Sequence, residues 1–345
     1  MKMLAAKGVI PGAPPPAALT AVVGLSLSDD AEVVAAAKKT LESPPRPLLE
    51  GALGAQLQAP VVEALANHHG SDPTLLPKIL AQESLDEDIL CLLANRADEA
   101  SGEIIGTNEA LLLKFPRAIE RLYMNKRVRM STSDRLIELA VRNEIELDFP
   151  AYKLAAEAIM SQLIPEPCEE PTYDDVLFAK TDAEAESLTL EDDEDVCERD
   201  EEGQEQVAEK AVPLFKLIAD ANITQKIRLA QTGNSTVILF LVRDNNRLVS
   251  EAAAKSPRMT ENDAARIASS RAVSDDVLRI IGNNREFTRS YQVKLNLVSN
   301  PRTPITFTTR FMPHLRQNDV KGLARSKQVP AVVQKLAKQQ LARKK

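Results

Sequence analysis

The spacing of turns constrains this chain more than any other feature. In its last third, Asn245-Asn246-Arg247, Ser256-Pro257-Arg258, Ser269-Ser270-Arg271, Asn283-Asn284-Arg285 and Asn300-Pro301-Arg302 share one pattern, and Arg325-Ser326-Lys327 is a weaker last member. The five read Asn or Ser, then Asn, Ser or Pro, then Arg. Their intervals of 11 to 17 residues leave room for helices of only about two or three turns. Within the intervals, apolar residues recur at three and four spacing, as in Leu248, Ala252 and Ala253 or Val277, Ile280 and Ile281. That marks one buried stripe per helix. Helices so short are marginal alone because nucleation is costly, so they must stack. Asn and Ser cap the next helix or take the turn conformation, while Pro257 and Pro301 stop the preceding one. Serial stacking predicts an all-α chain, a short-helix α-solenoid whose repeats touch mainly their neighbours.

Composition agrees. Hydrophobic residues make up 44% of 345 residues, yet there are 8 Phe, 4 Tyr and no Trp, which favours aliphatic helix packing over a sandwich or barrel. The length suits two domains. Charge divides the chain further. Residues 1–164 carry 16 basic and 22 acidic side chains, a net −6; residues 165–209 carry 2 and 19, a net −17; residues 210–345 carry 25 and 9, a net +16. The middle stretch has little to bury and repels itself, so a disordered acidic linker is expected there. The expected organisation is a flexible Pro-rich arm with a first helix (1–29), an N-terminal repeat block (30–164), the linker (165–209) and a basic C-terminal repeat block (210–345) that closes on a terminal helix from Ala331.

The first block repeats the theme loosely. Ile104-Ile105-Gly106-Thr107-Asn108-Glu109 mirrors Ile280-Ile281-Gly282-Asn283-Asn284-Arg285, and Leu122-Tyr123-Met124-Asn125-Lys126-Arg127 mirrors Leu297-Val298-Ser299-Asn300-Pro301-Arg302 after a one-residue slip. Two matches in the same order point to duplication of one block. The stretches Leu295 to Pro304 and Leu323 to Pro330 resemble the turns of bacterial HEAT-like and leucine-rich-repeat-variant α-solenoid proteins. The resemblance covers residues 225–343 and, less closely, 60–145. It implies binding rather than catalysis, and names no ligand.

The residues of catalysis and metal binding are scattered. No glycine-rich phosphate loop occurs. His68 and His69 point about 100° apart on a helix and fit a polar turn. His314, between Pro313 and Leu315, fits a helix end. Cys91, Cys168 and Cys197 lack Cys-x-x-Cys spacing, and Cys91 between Leu90 and Leu92 reads as a small buried hydrophobe. The run Glu191 to Asp195 offers no rigid, dry site for an acid/base pair. HEAT-like repair glycosylases need aromatic contacts that Tyr123, Tyr152, Tyr173 and Tyr291 are too dispersed to supply. No cofactor, metal or enzymatic activity is expected. The apolar run before Leu27 is broken by Pro11 and Pro14 to Pro16 and fits no signal peptide, so a cytoplasmic location is expected.

The candidate binding residues are Arg247, Arg258, Arg271, Arg285, Arg302 and Lys327. Equivalent turns of a solenoid line up along an edge, as one ladder or two. Guanidinium groups there suit carboxylate or phosphate. They also offset the helix macrodipole and bond free carbonyls, about 0.3–1 kcal/mol each, with no ligand at all. The expected function is a non-catalytic scaffold or adaptor that binds an acidic protein partner, shielded by contact of 165–209 with 210–345. The alternative is nucleic-acid binding by the basic block, with few aromatics to stack on bases: Phe287, Tyr291, Phe307 and Phe311 are at helical spacing and read as core.

Overall fold

The computed structural model describes residues 2–160, 162–188, 196–199, 205–326 and 328–343. Among them the regular elements are helices apart from one antiparallel strand pair, β1 (Cys197–Arg199) and β2 (Glu205–Val207), in which Cys197 faces Val207.

Two compact units divide the chain. Residues Met1–Asp148 and Ile164–Glu170 form the first, Phe149–Leu163 and Pro171–Lys345 the second. The first unit contains α1 (Lys2–Ala6), α2 (Pro15–Leu25), α3 (Ala31–Glu42), α4 (Arg46–Leu53), α5 (Ala59–His69), α6 (Leu76–Leu80), α7 (Glu87–Arg96), α8 (Glu99–Gly106), α9 (Glu109–Lys114), α10 (Arg117–Met124) and α11 (Met130–Arg142). The second contains α12 (Tyr152–Ile159), α13 (Tyr173–Ser187), α14 (Val212–Asp220), α15 (Ile223–Thr232), α16 (Ser235–Leu241), α17 (Arg247–Ala254), α18 (Glu261–Ser269), α19 (Asp275–Asn283), α20 (Tyr291–Ser299), α21 (Ile305–Phe311), α22 (Gln317–Arg325) and α23 (Ala331–Arg343).

Several of the helices start where short polar side chains satisfy free backbone N–H groups. Asp98 with Ser101, Thr172 with Asp175, Asn222 with Gln225 and Thr260 with Asp263 form reciprocal capping boxes. Several helices pack on the next but one in sequence, α5 on α7, α15 on α17, α17 on α19 and α18 on α20, and α7 packs on α10, the third after it. Side-chain bonds between such neighbours span 28 to 32 residues. These bonds span about two of the turn intervals read from the sequence.

The two matched motifs serve the same packing in both units. A Cβ at Gly106 would meet Thr132 Cγ2 at 2.7 Å, and one at Gly282 would meet Phe307 Cδ1 at 2.7 Å. Both glycines let the following helical layer approach the backbone.

Two expectations are corrected. Residues 1–29, expected as an arm with one first helix, hold two helices, α1 and α2, and Ala18, Leu19, Val22 and Val23 of α2 are buried; Pro15 stands at the start of α2, where no donor is needed. The acidic stretch is not uniformly a linker either. Its residues 173–187 form α13, with Leu177, Phe178, Thr181 and Ala185 buried as a stripe. Asn222 Nδ2 donates to Asp174 Oδ2 at 3.1 Å, and the fully buried Arg228 stacks its guanidinium 4.6 Å over Phe178. Net charge misled because it takes no account of the stripe of Leu177, Phe178, Thr181 and Ala185 at helical spacing, and Asp175 is itself buried in its capping box with Thr172. Residues 189–195 and 200–204 of the stretch lie outside the described residues. Residues 164–170 join the first unit, where Arg129, paired with Glu99 at 2.5 Å, donates to Cys168 O at 2.8 Å and Glu169 O at 2.9 Å.

Candidate partner-binding groove

The arginine turns all use one local device. A Ser or Asn side-chain oxygen accepts from the backbone N–H two residues on: Asn246 from Leu248 at 2.9 Å, Ser256 from Arg258 at 3.2 Å, Ser270 from Ala272 at 3.2 Å, Asn284 from Glu286 at 2.9 Å and Asn300 from Arg302 at 3.0 Å. These are side-chain mimics of a backbone turn. The acceptor is the first residue of the triplet at Ser256 and Asn300, but the second at Asn246, Ser270 and Asn284. Arg258 and Arg302 thus follow it by two positions, and Arg247, Arg271 and Arg285 by one. A single repeated arginine position, expected from the triplets, is not what the turns contain.

Nor do the arginines share one edge. Arg247, at the start of α17, lies 3.4 Å from Asp276 in the first turn of α19, so those helices run parallel. Asn300, just past α20, donates to Ala268 O at 2.8 Å and Ser270 O at 2.7 Å at the end of α18, so these two are parallel as well. Arg302 Nη1 reaches Val273 O at 3.3 Å. Arg247, Arg271 and Arg302 therefore line one edge, whereas Arg258 and Arg285 follow the C-termini of α17 and α19 at the other. Lys327 lies outside the described residues.

The first edge is not uniform. Arg247 is bound to Glu251 at 2.5 Å as well as to Asp276, and these carboxylates raise its already high pKa. Arg302 serves a free turn carbonyl, which is the structural role open to any of the arginines. Arg271 is exposed and lies against a groove of about 440 Å³ formed by the C-terminal ends of α18 and α20 and by α22. Its Nη2 donates to Gln328 Oε1 at 3.3 Å.

The rest of the groove mixes the polar side chains Asn296, Ser299, Asn318 and Asp319 with Gly322 and the apolar Leu295 and Leu323. Asn296 Nδ2 is committed to Ala265 O at 2.7 Å and Ser299 Oγ to Leu295 O at 2.8 Å. The Asp319 carboxylate accepts the Tyr291 hydroxyl, which also accepts from Arg316 N at 3.0 Å under a guanidinium stacked 4.7 Å from the ring. Burial, then this bond to Asp319, push the phenol above its usual range. Tyr291 is thus partly a polar strut, while Phe307 and Phe311 are buried core. Such a surface can hold a hydrogen-bonding chain and place one positive charge against it.

Sequence reasoning found Arg271 but missed Asn318, Asp319, Gly322 and Gln328. A usable signal was present: Gly322 stands inside a helix, off the apolar stripe of Val320, Leu323 and Ala324. Of the other chemistry-bearing residues, His69 Nε2 is hydrogen-bonded with Leu41 O at 2.8 Å, Cys91 is buried and Cys168 is exposed. Among the described residues, no three His, Cys, Asp or Glu side chains are grouped to hold a metal ion, and no helix is long and apolar enough to cross a membrane. Compared with known proteins, the sequence matches no family model and no curated relative.

Proposed function

We propose that this protein is a cytoplasmic, non-catalytic scaffold of the α-solenoid kind that binds an acidic protein partner through the second unit. One observation carries the reading: an exposed guanidinium, Arg271, lines a groove of mixed polar and apolar character at the edge shared by Arg247 and Arg302, within a segment of net charge +16. Helix pairs bonded mainly to their neighbours fit a repeat scaffold, whose extended faces serve binding. The acidic stretch 165–209, of which residues 189–195 and 200–204 lie outside the described residues, acts in this reading as a tethered competitor for the same surface, at an effective concentration on the order of millimolar.

Binding of fluorescent polyglutamate by the full chain, followed over a salt series, tests the reading. Polyglutamate should bind at low salt, deletion of residues 190–195 should strengthen it, and the combined variant Arg247→Gln, Arg271→Gln, Arg302→Gln should weaken it. Retention of single-stranded DNA at about 150 mM salt, where nonspecific phosphate contacts have weakened steeply, together with no polyglutamate binding, would instead favour a nucleic-acid partner.

A further inference from the structure

We propose that the groove of α18, α20 and α22 holds an extended acidic peptide segment of the partner, its backbone laid across the helix at Gly322 and one carboxylate paired with Arg271. The inference deepens the protein-binding reading and rests on it.

The key residue is Gly322. A glycine inside a helix is about 0.5–1 kcal/mol less favourable than alanine, and a fold that keeps one usually needs its conformation or its small size. Gly233 and Gly282 meet that need by size, since a Cβ would lie 2.5 Å from Leu229 O and 2.7 Å from Phe307 Cδ1 respectively. Gly322 meets it neither way. Its backbone is not left-handed, and a Cβ there would find nothing within 4 Å. Gly24 also has open space, but it stands at the end of α2, two residues before the cap Ser26. Gly322 is the sixth of nine residues of α22 and lines the groove. What the missing side chain leaves open is room for a second backbone to approach the helix.

The dimensions and the charges fit a peptide. Helices packed about 8–10 Å apart make the path across three of them roughly 20 Å, which an extended chain spans with about six residues. Asn318 is exposed at the rim, and its side chain makes no hydrogen bond among the described residues, so its amide can both donate to and accept from a peptide backbone. Polarity follows from the charges along the groove. Arg271 bonds Gln328 just past the C-terminus of α22, and a guanidinium binds a carboxylate with paired, charge-assisted bonds. Asp319, in the first turn of α22 and held by Tyr291, disfavours a second carboxylate toward the N-terminus of that helix. The acidic side chain of the peptide is therefore directed to Arg271.

The test is fluorescence anisotropy on the full chain with a short fluorescein-labelled peptide bearing one Glu among neutral residues, its Gln analogue, and polyglutamate. Gly322→Ala should leave the thermal midpoint unchanged or higher yet weaken the Glu peptide by at least about tenfold, and Gly322→Leu should abolish its binding. Arg271→Gln should weaken the Glu peptide by about tenfold and leave the Gln analogue unchanged. Arg289→Gln, the same charge change on the far side of α19, should alter neither. Wild-type affinity in Gly322→Ala, or equal losses from Arg271→Gln and Arg289→Gln, overturns the groove and leaves the broader basic surface standing when polyglutamate still binds. Failure of the wild-type chain to bind either ligand removes both.

Discussion

Asn125 and Asn300, one in each unit, make the same joint. Each side-chain oxygen accepts from the backbone N–H two residues on, at 3.0 Å in both cases. Each amide donates to carbonyls that end a helix of the previous repeat: Ala94 and Ala97 for Asn125, Ala268 and Ser270 for Asn300. One side chain thus shapes its own turn and fastens it to the layer before.

Removing the joint should be expensive. Asn300 is buried, and Asn300→Ala leaves two carbonyls and one N–H without their partner, a loss of about 2–4 kcal/mol. Asn300→Asp should be worse, since a carboxylate would face the Ala268 and Ser270 oxygens. Urea unfolding of the three proteins checks the order.

Gly282→Ala should destabilise by about 1–3 kcal/mol, because the new methyl meets the Phe307 ring at 2.7 Å and the core must shift. Adding Phe307→Leu to the same chain should recover part of that loss. Thermal unfolding of the single and double variants reads the coupling.

Arg228 is fully buried against Phe178. Arg228→Lys removes the planar group that stacks on the ring, so it should behave as a core lesion of more than about 1 kcal/mol rather than a conservative change. Phe178→Leu should lose less. Both are measurable by denaturant midpoint, with circular dichroism confirming the helices.

Asp98 supplies a pH-dependent element. The Ser101 hydroxyl, more than offsetting burial, holds its carboxyl below the ordinary aspartate value. Its folded pKa is depressed, so its contribution is fully present above the unfolded value of about 3.9 and fades as pH falls through the folded one. Asp98→Ala should cost about 1 kcal/mol at neutral pH, and the difference between variant and wild type should close toward acid. Paired unfolding curves from pH 7 down to the acid limit test the sign.

The exposed Cys168 should react fastest with a thiol reagent, and Cys168→Ser should remove that phase. Cys91, buried, with burial the chief cause of a raised thiol pKa, should react only on unfolding.

The turns were legible because their chemistry is local: Asn300 sits two residues from the N–H it binds, and Pro301 follows it. That packed helices lie about two turn intervals apart was not, because successive triplets mark alternate edges and look alike in sequence. The register of the arginines failed for a related reason, since in Asn246, Ser270 and Asn284 the second polar residue, not the first, accepts the bond. α13 was hidden by charge summed over a segment, although Leu177, Phe178, Thr181 and Ala185 carry a helical stripe. The groove needed the structure: Arg271, Asn296 and Gly322 come from three different helical layers, and nothing in the sequence says that those layers align.

The division of the chain into units also dictates an order of assembly during synthesis. Residues 149–163 belong to the second unit, yet they leave the ribosome before residues 164–170, which the first unit needs and which Arg129 holds by two carbonyls. The first unit therefore closes only after part of the second has already emerged, and α12 must then wait for α15 and α17, its packing partners some seventy or more residues downstream. No single peptide bond separates the two, so a cut at any one position leaves at least one unit missing a piece of itself.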